Sequence, residues 1–275
     1  MKKHLLLALP LAALVLAACG QKTTTPPGGQ NPPTEKLYTK VGLVQAIKFD
    51  SNSGVMAEFG TLSPTALPKS PDPSTLDTCQ LGDGVNALIQ LTTPVINSSY
   101  GPLDAGDAIT FKKNGMAFAT ISRMDMQPQA LPNYVYQARN LVLSGLSDLT
   151  LSVPGATGGF PAFTDVSFPV PNPAFSLTKP TDLKTITSTT NFTWTGASND
   201  PAAVVLFFVK QGNMPFFFCT ARDDGSFTIP SDFQDVLKAQ KFTQGIAGAV
   251  QSLTQVKTSG DALLIMQSLS GVGDF

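Results

Sequence analysis

The stretches "AAVVLFFVK" (residues 202–210) and "MPFFFCT" (residues 214–220) decide the fold. Both are short, and aliphatic, β-branched and aromatic residues dominate them. Short apolar runs of this kind, separated by turn residues, predict β-strands rather than helices. Their five phenylalanines leave two interpretations open. The rings lie buried between two sheets, or strand alternation exposes some of them as an apolar patch for a partner.

The same pattern continues on both sides of these stretches. The runs "FSLTKP", "NFTWTG", "GSFTIP", "GIAGAVQSLTQV" and "DALLIMQSLS" bring the total to about seven strands between residues 174 and 275. One short helix interrupts them, where Ser231 precedes "DFQDVLKA" and Gln234 completes a capping box. By strand number and spacing alone, this region resembles immunoglobulin-like and fibronectin-like β-sandwiches. The resemblance implies a sandwich with Trp194 in its core. It does not assign a function to the chain.

The region before residue 170 also predicts strands. Residues 41–49 and 55–60 form a predicted hairpin around "DSNSG", and residues 85–93, 107–111 and 115–123 read as further strands. Asn114 and Gly115 supply a hairpin turn between the last two. The proline-rich "PVPNP" (residues 169–173) predicts a stiff boundary. We therefore expect an all-β protein with two sandwich-like domains, residues 37–170 and 174–275.

The chain begins with the features of a signal peptide, residues 1–18. Lys2 and Lys3 precede an apolar run over residues 5–18. A run of about fourteen residues is too short to cross a bilayer core, which needs roughly twenty. We therefore interpret it as a targeting segment and leave it out of the fold.

The run ends in Leu16, Ala17, Ala18 and Cys19. This sequence resembles the lipobox of bacterial lipoproteins. The resemblance implies cleavage before Cys19, diacylglycerol on its thiol and an acyl chain such as palmitate on its new amino group. In a diderm cell, Gly20 after the cysteine favours the outer membrane. The alternative is an ordinary signal peptide that happens to contain a cysteine.

Residues 19–36 predict a lipidated terminus followed by a disordered tether. Pro, Gly, Thr and Gln dominate "GQKTTTPPGGQNPPTEK", which offers no apolar surface to bury. Such a tether would hold the folded body away from a membrane. A terminal segment without a role is also compatible with this composition.

With Cys19 assigned to lipid, Cys79 and Cys219 remain. An even pair in an exported protein is a candidate disulfide, which would join the two predicted domains. The alternative is two unpaired cysteines, with Cys219 a small core residue.

Composition excludes several functions. Loss of residues 1–18 removes two of the 18 basic residues and none of the 19 acidic residues, which leaves a net charge near −3 and no basic excess for nucleic acid. The one histidine, His4, leaves with the signal peptide, so histidine-dependent triads and zinc sites are excluded. No sequence motif predicts a cofactor or a metal site. Two aspartate pairs, Asp104 with Asp107 and Asp223 with Asp224, are candidates for catalysis or Ca²⁺, but both lie in turn sequences.

The expected function is a non-catalytic binding or structural role at the cell envelope. The lipid would attach the protein to a membrane, with an envelope protein or glycan as partner. Tyr134 and Tyr136 point the same way along a predicted strand and are a candidate ligand platform. Two rival functions are a carbohydrate- or peptide-binding module and an aspartate-based hydrolase, which needs two carboxylates about 5–10 Å apart.

Overall fold

The computed structural model describes residues 36–49, 52–67, 71–84, 101–125 and 134–273. Within these ranges the protein is all-β, with one α-helix, α1 (Ser231–Ala239), and one 3-10 turn (Pro73–Thr75). The predicted fold class is therefore confirmed. The predicted strand at residues 85–93, the signal peptide and the tether up to residue 35 lie outside the described residues.

Sixteen strands are described. The first nine are β1 (Tyr38–Phe49), β2 (Asn52–Thr65), β3 (Thr78–Leu81), β4 (Gly101–Pro102), β5 (Ala108–Lys113), β6 (Met116–Asp125), β7 (Tyr134–Arg139), β8 (Leu149–Val153) and β9 (Phe163–Ser167). The other seven are β10 (Ser176–Lys179), β11 (Asn191–Thr195), β12 (Val204–Gln211), β13 (Met214–Arg222), β14 (Ser226–Thr228), β15 (Ile246–Ser259) and β16 (Ala262–Gly273).

Strand β16 lies in the interior of the large sheet, and apolar and small residues dominate both of its faces, with Gln267 as the one larger polar side chain. Residues 262–271 are all buried, as expected of a strand covered on both sides. It pairs with β15 as an antiparallel hairpin and with β1 in parallel, from Lys40 beside Ala262 to Phe49 beside Gly271. The parallel ladder therefore joins the first described strand to the last one.

This ladder creates one large sheet. Its order is β3-β13-β12-β15-β16-β1-β2-β7-β6-β5-β8-β9, with β4 beside β2. A separate three-stranded sheet has the order β10-β11-β14. The large sheet contains strands from both predicted domains.

Two hydrophobic cores form on the same face of the large sheet. In the first core, Val44, Phe59 and Leu264 of β1, β2 and β16 pack with Phe111 and Leu151 of β5 and β8. Strand β6 pairs with β5 along its first part and with β7 at its end. The sheet therefore curves back over itself at β6 to close this core.

The second core lies between β12, β13 and β15 and the small sheet. Phe207 and Phe217 of the large sheet pack in one cluster with Phe192, Trp194 and Phe227 of the small sheet. Helix α1 closes the core with Phe233 and Leu237. Of the five phenylalanines in the two opening stretches, Phe207 and Phe217 are buried in this core, as one of the two interpretations predicts. Phe208 is buried in a separate cluster with Leu206, and Phe216 and Phe218 are half-buried.

The division at residues 170–174 separates the cores only in part, and it does not separate the sheet. The first core contains Ala262, Leu264 and Met266 from the end of the chain, and the second packs against Cys79 from the first region. Pairing between strands far apart in sequence leaves no local signal, so the sequence does not indicate this shared sheet.

The predicted capping box is wrong, because Pro230 takes the N-cap position and Gln234 donates to the Ile229 carbonyl instead.

A close approach in the first core requires a glycine. A Cβ at Gly42 of β1 would lie 2.6 Å from Cδ1 of Phe59 and 2.9 Å from Cζ of Phe160. Both rings are fully buried, so neither can move without a shift of the core.

We expect Gly42→Ala to destabilise the protein by about 1–3 kcal/mol, the usual cost of overpacking a filled core. Urea unfolding followed by circular dichroism measures the change. Thr258→Ala, at an exposed position of β15, is the control and should stay within about 0.5 kcal/mol of the wild type. An unchanged stability in Gly42→Ala would contradict the packing described.

Candidate functional site: the open edge of strand β6

The first candidate aspartate pair is engaged by one arginine. Nη1 of Arg123 lies 2.7 Å from Oδ2 of Asp104, and its Nη2 lies 3.8 Å from Oδ1 of Asp107. Oδ1 of Asp104 also accepts the amide hydrogen of Gly106 at 2.7 Å. The two carboxylates therefore hold the turn before β5 and the end of β6 together.

The two carboxylates of the second candidate pair, Asp223 and Asp224, have different partners. Asp223 is buried and accepts three hydrogen bonds, from Nε1 of Trp194 at 2.8 Å, Nε2 of Gln251 at 2.9 Å and the amide of Ser198 at 2.9 Å. Asp224 instead accepts the amide hydrogen of Ser226, in a turn. These contacts give Asp223 a role in fixing the indole of the second core and the loop before β12.

Tyr136 does not form a ligand platform, which corrects that prediction. Its ring is fully buried and packs edge-on against Phe59 at 5.4 Å between centroids. Its hydroxyl donates to the Gly106 carbonyl and accepts the amide hydrogen of Ala105, and burial raises its pKa to about 12. Tyr134 is half-buried beneath the guanidinium of Arg123, whose central carbon lies 5.3 Å from the ring centroid. The sequence alternation placed the two rings on one face, but that face points into the core.

Cys79 and Cys219 are joined by a disulfide. They lie directly opposite each other in the β3–β13 ladder, with 4.0 Å between their Cα atoms. The bond attaches β3, the outermost strand of the large sheet, to β13. Leu16, Ala17, Ala18 and Cys19 lie outside the described residues.

Three of the exposed apolar side chains among the described residues lie on β6. The exposed fraction is 72% for Met116, 45% for Phe118 and 39% for Met124. The register shift against β5 between Ala117 and Ala119 breaks the alternation along this strand. Thr120, Ser122 and Met124 share the outer face, whereas Met116 lies opposite Lys113 on the face of Phe111. Thr120 and Ser122 are also exposed.

One edge of this strand is open. Residues 116–122 pair with β5 on one side, and no described strand pairs with their other side, because β7 reaches only residues 123–125. The amide of Arg123 donates to the Asp107 carbonyl on the β5 side. Since backbone groups of successive residues point to opposite sides of a strand, those of Thr120 and Ser122 point to the open side. The sequence predicted this strand but not its open edge, because an edge depends on where β7 leaves the ladder.

The one described glutamate has an unusual environment. Glu58 lies on β2 between Leu43 of β1 and Val135 of β7. Burial raises the pKa of its carboxyl above the usual 4.5. Ionisation of such a buried carboxyl is unfavourable and lowers the stability of the folded protein.

Neither a metal site nor a membrane-spanning helix is found among the described residues. They contain no group of three or more His, Cys, Asp and Glu side chains that could hold a metal ion. None of the described helices combines the length and the apolar composition that crossing a membrane requires.

Comparison with known proteins identifies no relative. A scan against protein-family models finds no match, and searches of the curated proteins and of the solved structures find none either.

We expect Glu58→Gln to stabilise the protein at neutral pH and to have no stabilising effect below about pH 4. The folded pKa lies above the unfolded one, so the protonated carboxyl contributes stability that is full below the unfolded value and lost as pH rises through the folded one. The free energy of unfolding of variant and wild type is measured by urea titration at about ten evenly spaced pH values between pH 3.5 and pH 8. The difference between the two free energies at each pH is the result.

Asp165→Asn is the control with the opposite sign. Hydrogen bonds from Lys112 and Ser152 lower the pKa of Asp165 below 3.8, so its ionised form stabilises the folded state above that value. Asp165→Asn should therefore be less stable than the wild type at neutral pH, and the difference should disappear in acid. A pH-independent effect of Glu58→Gln would contradict the assigned burial of that carboxyl.

Proposed function

We propose that the protein is a lipid-anchored lipoprotein of the cell envelope, with a non-catalytic binding or structural role. The observation that carries the proposal is the sequence Leu16-Ala17-Ala18-Cys19 directly after a basic start and a short apolar run. Diacylglycerol on Cys19 and an amino-terminal acyl chain would supply the anchor, since several chains together hold a protein far more firmly than one.

The location follows from the same residues. The signal peptide directs the folded body to the outside of the cytoplasmic membrane, and residues 20–36 are the proposed tether. In a diderm cell, Gly20 favours the outer membrane as the destination. The disulfide supports an oxidising compartment, because such bonds are rare in the cytosol.

The fold of the second region supports a binding role. Its seven strands divide into β10-β11-β14 and β13-β12-β15-β16. We propose that this sandwich is of the immunoglobulin-like or fibronectin-like type, an architecture shared by many cell-surface domains. Fold type alone assigns no ligand, so the binding surface has to come from the site.

Binding of an extended peptide is favoured over glycan binding and over hydrolysis. Among the described residues, no strand pairs with the second side of β6 at residues 119–122, and the neighbouring Phe118 is exposed, which is the kind of surface that strand addition uses. Glycan binding is less favoured because Tyr136, one of the two tyrosines of the candidate ligand platform, is buried. Hydrolysis is less favoured because the aspartates of both candidate pairs make structural contacts.

We expect Cys19→Ala to abolish incorporation of radiolabelled palmitate into the full-length protein, because the thiol is the attachment point. The measurement is label per protein, together with the mass of the mature amino-terminal peptide. Gln21→Ala, which keeps the cysteine, is the control and should retain the label. Label on the Cys19→Ala variant, or a mature wild-type terminus without lipid, would contradict the proposal.

A further inference from the structure

We propose that a water molecule is bound in the polar seam between the two hydrophobic cores, where it bridges Gln251 of β15 and Ser270 of β16. The site lies on the face of the large sheet that carries both cores. It goes beyond the proposed function, because it depends neither on the lipid anchor nor on the edge of β6.

The polar seam is a row of side chains that crosses the large sheet. Gln251, Ser270 and Lys48 are neighbours in the ladders that join β15, β16 and β1, so their side chains lie on the same face. Val205, opposite Gln251 on its other side, belongs to the second core. Met266, four residues before Ser270 on the same face, belongs to the first core. The seam is therefore the place where the apolar packing of one core ends and that of the other begins.

The orientation of the Gln251 amide is fixed by its two donor hydrogens. Its Nε2 donates to the Gly196 carbonyl at 2.7 Å and to Oδ2 of Asp223 at 2.9 Å. A flipped amide would turn Oε1 toward these two acceptors and would lose both hydrogen bonds. The oxygen of this amide therefore needs a donor other than the groups that Nε2 contacts.

Two buried oxygens of the seam have no hydrogen-bond partner among the described residues. They are Oε1 of Gln251 and Oγ of Ser270. The exposed fraction is 1% for Gln251 and 4% for Ser270, so bulk water does not satisfy these atoms. A buried polar atom without a partner is costly, and such atoms are in general paired with protein or with ordered water. Since the two residues lie directly opposite each other in the ladder, one ligand can serve both.

A water molecule has the hydrogen-bonding groups that these two oxygens require. Oε1 of Gln251 can only accept, whereas the Ser270 hydroxyl can donate or accept. Water donates one hydrogen to Oε1 and accepts the hydrogen of the hydroxyl. The Cβ atoms of directly opposite residues lie about 4.5–5.5 Å apart, so a single water can reach both side chains.

An ion fits the same position less well. Lys48 flanks Ser270 and would attract an anion, but Oε1 of Gln251 has no hydrogen to donate to one. A cation such as Ca²⁺ takes about six to eight oxygen ligands. The nearby carboxylate of Asp223 already accepts from Trp194, Ser198 and Gln251. The two oxygens without partners are therefore assigned to water.

The bound water extends a hydrogen-bond network that starts in the second core. Asp223 connects the indole of Trp194 to Gln251, and Gln251 also holds the Gly196 carbonyl. The water continues this network from β15 to Ser270 of β16, the strand that contributes Leu264 to the first core. It is thus a structural ligand at the junction of the two cores.

A high-resolution crystal structure of the full-length protein tests the site directly. We expect a water within about 2.7–3.2 Å of both Oε1 of Gln251 and Oγ of Ser270. A direct hydrogen bond between the two side chains, or a dry contact, would overturn the proposal. So would an ion at this position, which soaked thallium or bromide reveals by anomalous scattering.

Ser270→Ala tests the site in solution, because the sign of its effect depends on whether the hydroxyl has a partner. If water is bound, the variant loses a hydrogen bond, and the equilibrium constant for unfolding in urea should rise about tenfold. If the hydroxyl had no partner, its removal would leave that constant unchanged or lower it, and this result would contradict the proposal. Ser176→Ala, at an exposed position of β10, is the matched control and should stay within about twofold of the wild type.

The number of long-lived waters separates a lost water from a mere packing defect. Magnetic relaxation dispersion of the water oxygen nucleus measures this number for the wild type and both variants. The wild type should hold one long-lived water more than Ser270→Ala, and Ser176→Ala should match the wild type. Equal numbers in the wild type and Ser270→Ala would overturn the proposal, whatever the change in stability.

Discussion

The parallel pairing of β1 with β16 is the constraint on which the rest of the structure depends. It joins residues 222 positions apart, such as Val41 and Leu263, and so fuses two regions that each hold a hydrophobic core. A strand in this position must bury both faces, and residues 262–271 of β16 are all buried. On the face opposite the two cores, Nε2 of Gln45 donates to Oε1 of Gln267 at 2.7 Å across the same ladder. This buried hydrogen bond fixes the register, because a shift by one residue would leave both amides without this partner.

The shared sheet also determines where binding can occur. Among the described residues, backbone groups lack a neighbouring strand at the two outer strands, β3 and β9, and where a strand leaves the ladder. At β6 the strand pairs first with β5 and then with β7, and the change of partner leaves residues 116–122 with one open side. The proposed binding edge is thus a consequence of how the sheet curves to close its first core. The lipid anchor, by contrast, depends on twenty residues at the start of the chain and on nothing in the fold.

Local features were predictable from the sequence, and long-range ones were not. The Asn114-Gly115 turn, with both residues at positive φ, follows from a signal of two residues. Helix α1 also lies where the sequence predicts it, although the capping box on which that prediction relied does not form. The parallel ladder does not, because nothing near Tyr38 indicates a partner at the opposite end of the chain. The orientation of Tyr136 was also beyond the sequence: alternation shows which residues share a face, but the partner layer decides whether that face is buried. At the edge of β6, the sequence "MAFATIS" signals a strand, and only the departure of β7 makes it accessible.

The most direct test of the shared sheet uses a probe in one core and a substitution in the other. Trp194, the one tryptophan, lies in the second core, and Leu264 lies in the first. If the ladder makes both cores one cooperative unit, Leu264→Ala lowers the stability reported by Trp194 fluorescence in urea by about 2–5 kcal/mol, with a midpoint equal to that from circular dichroism. A Trp194 transition that stays at its wild-type midpoint while circular dichroism reports an earlier one would contradict the account.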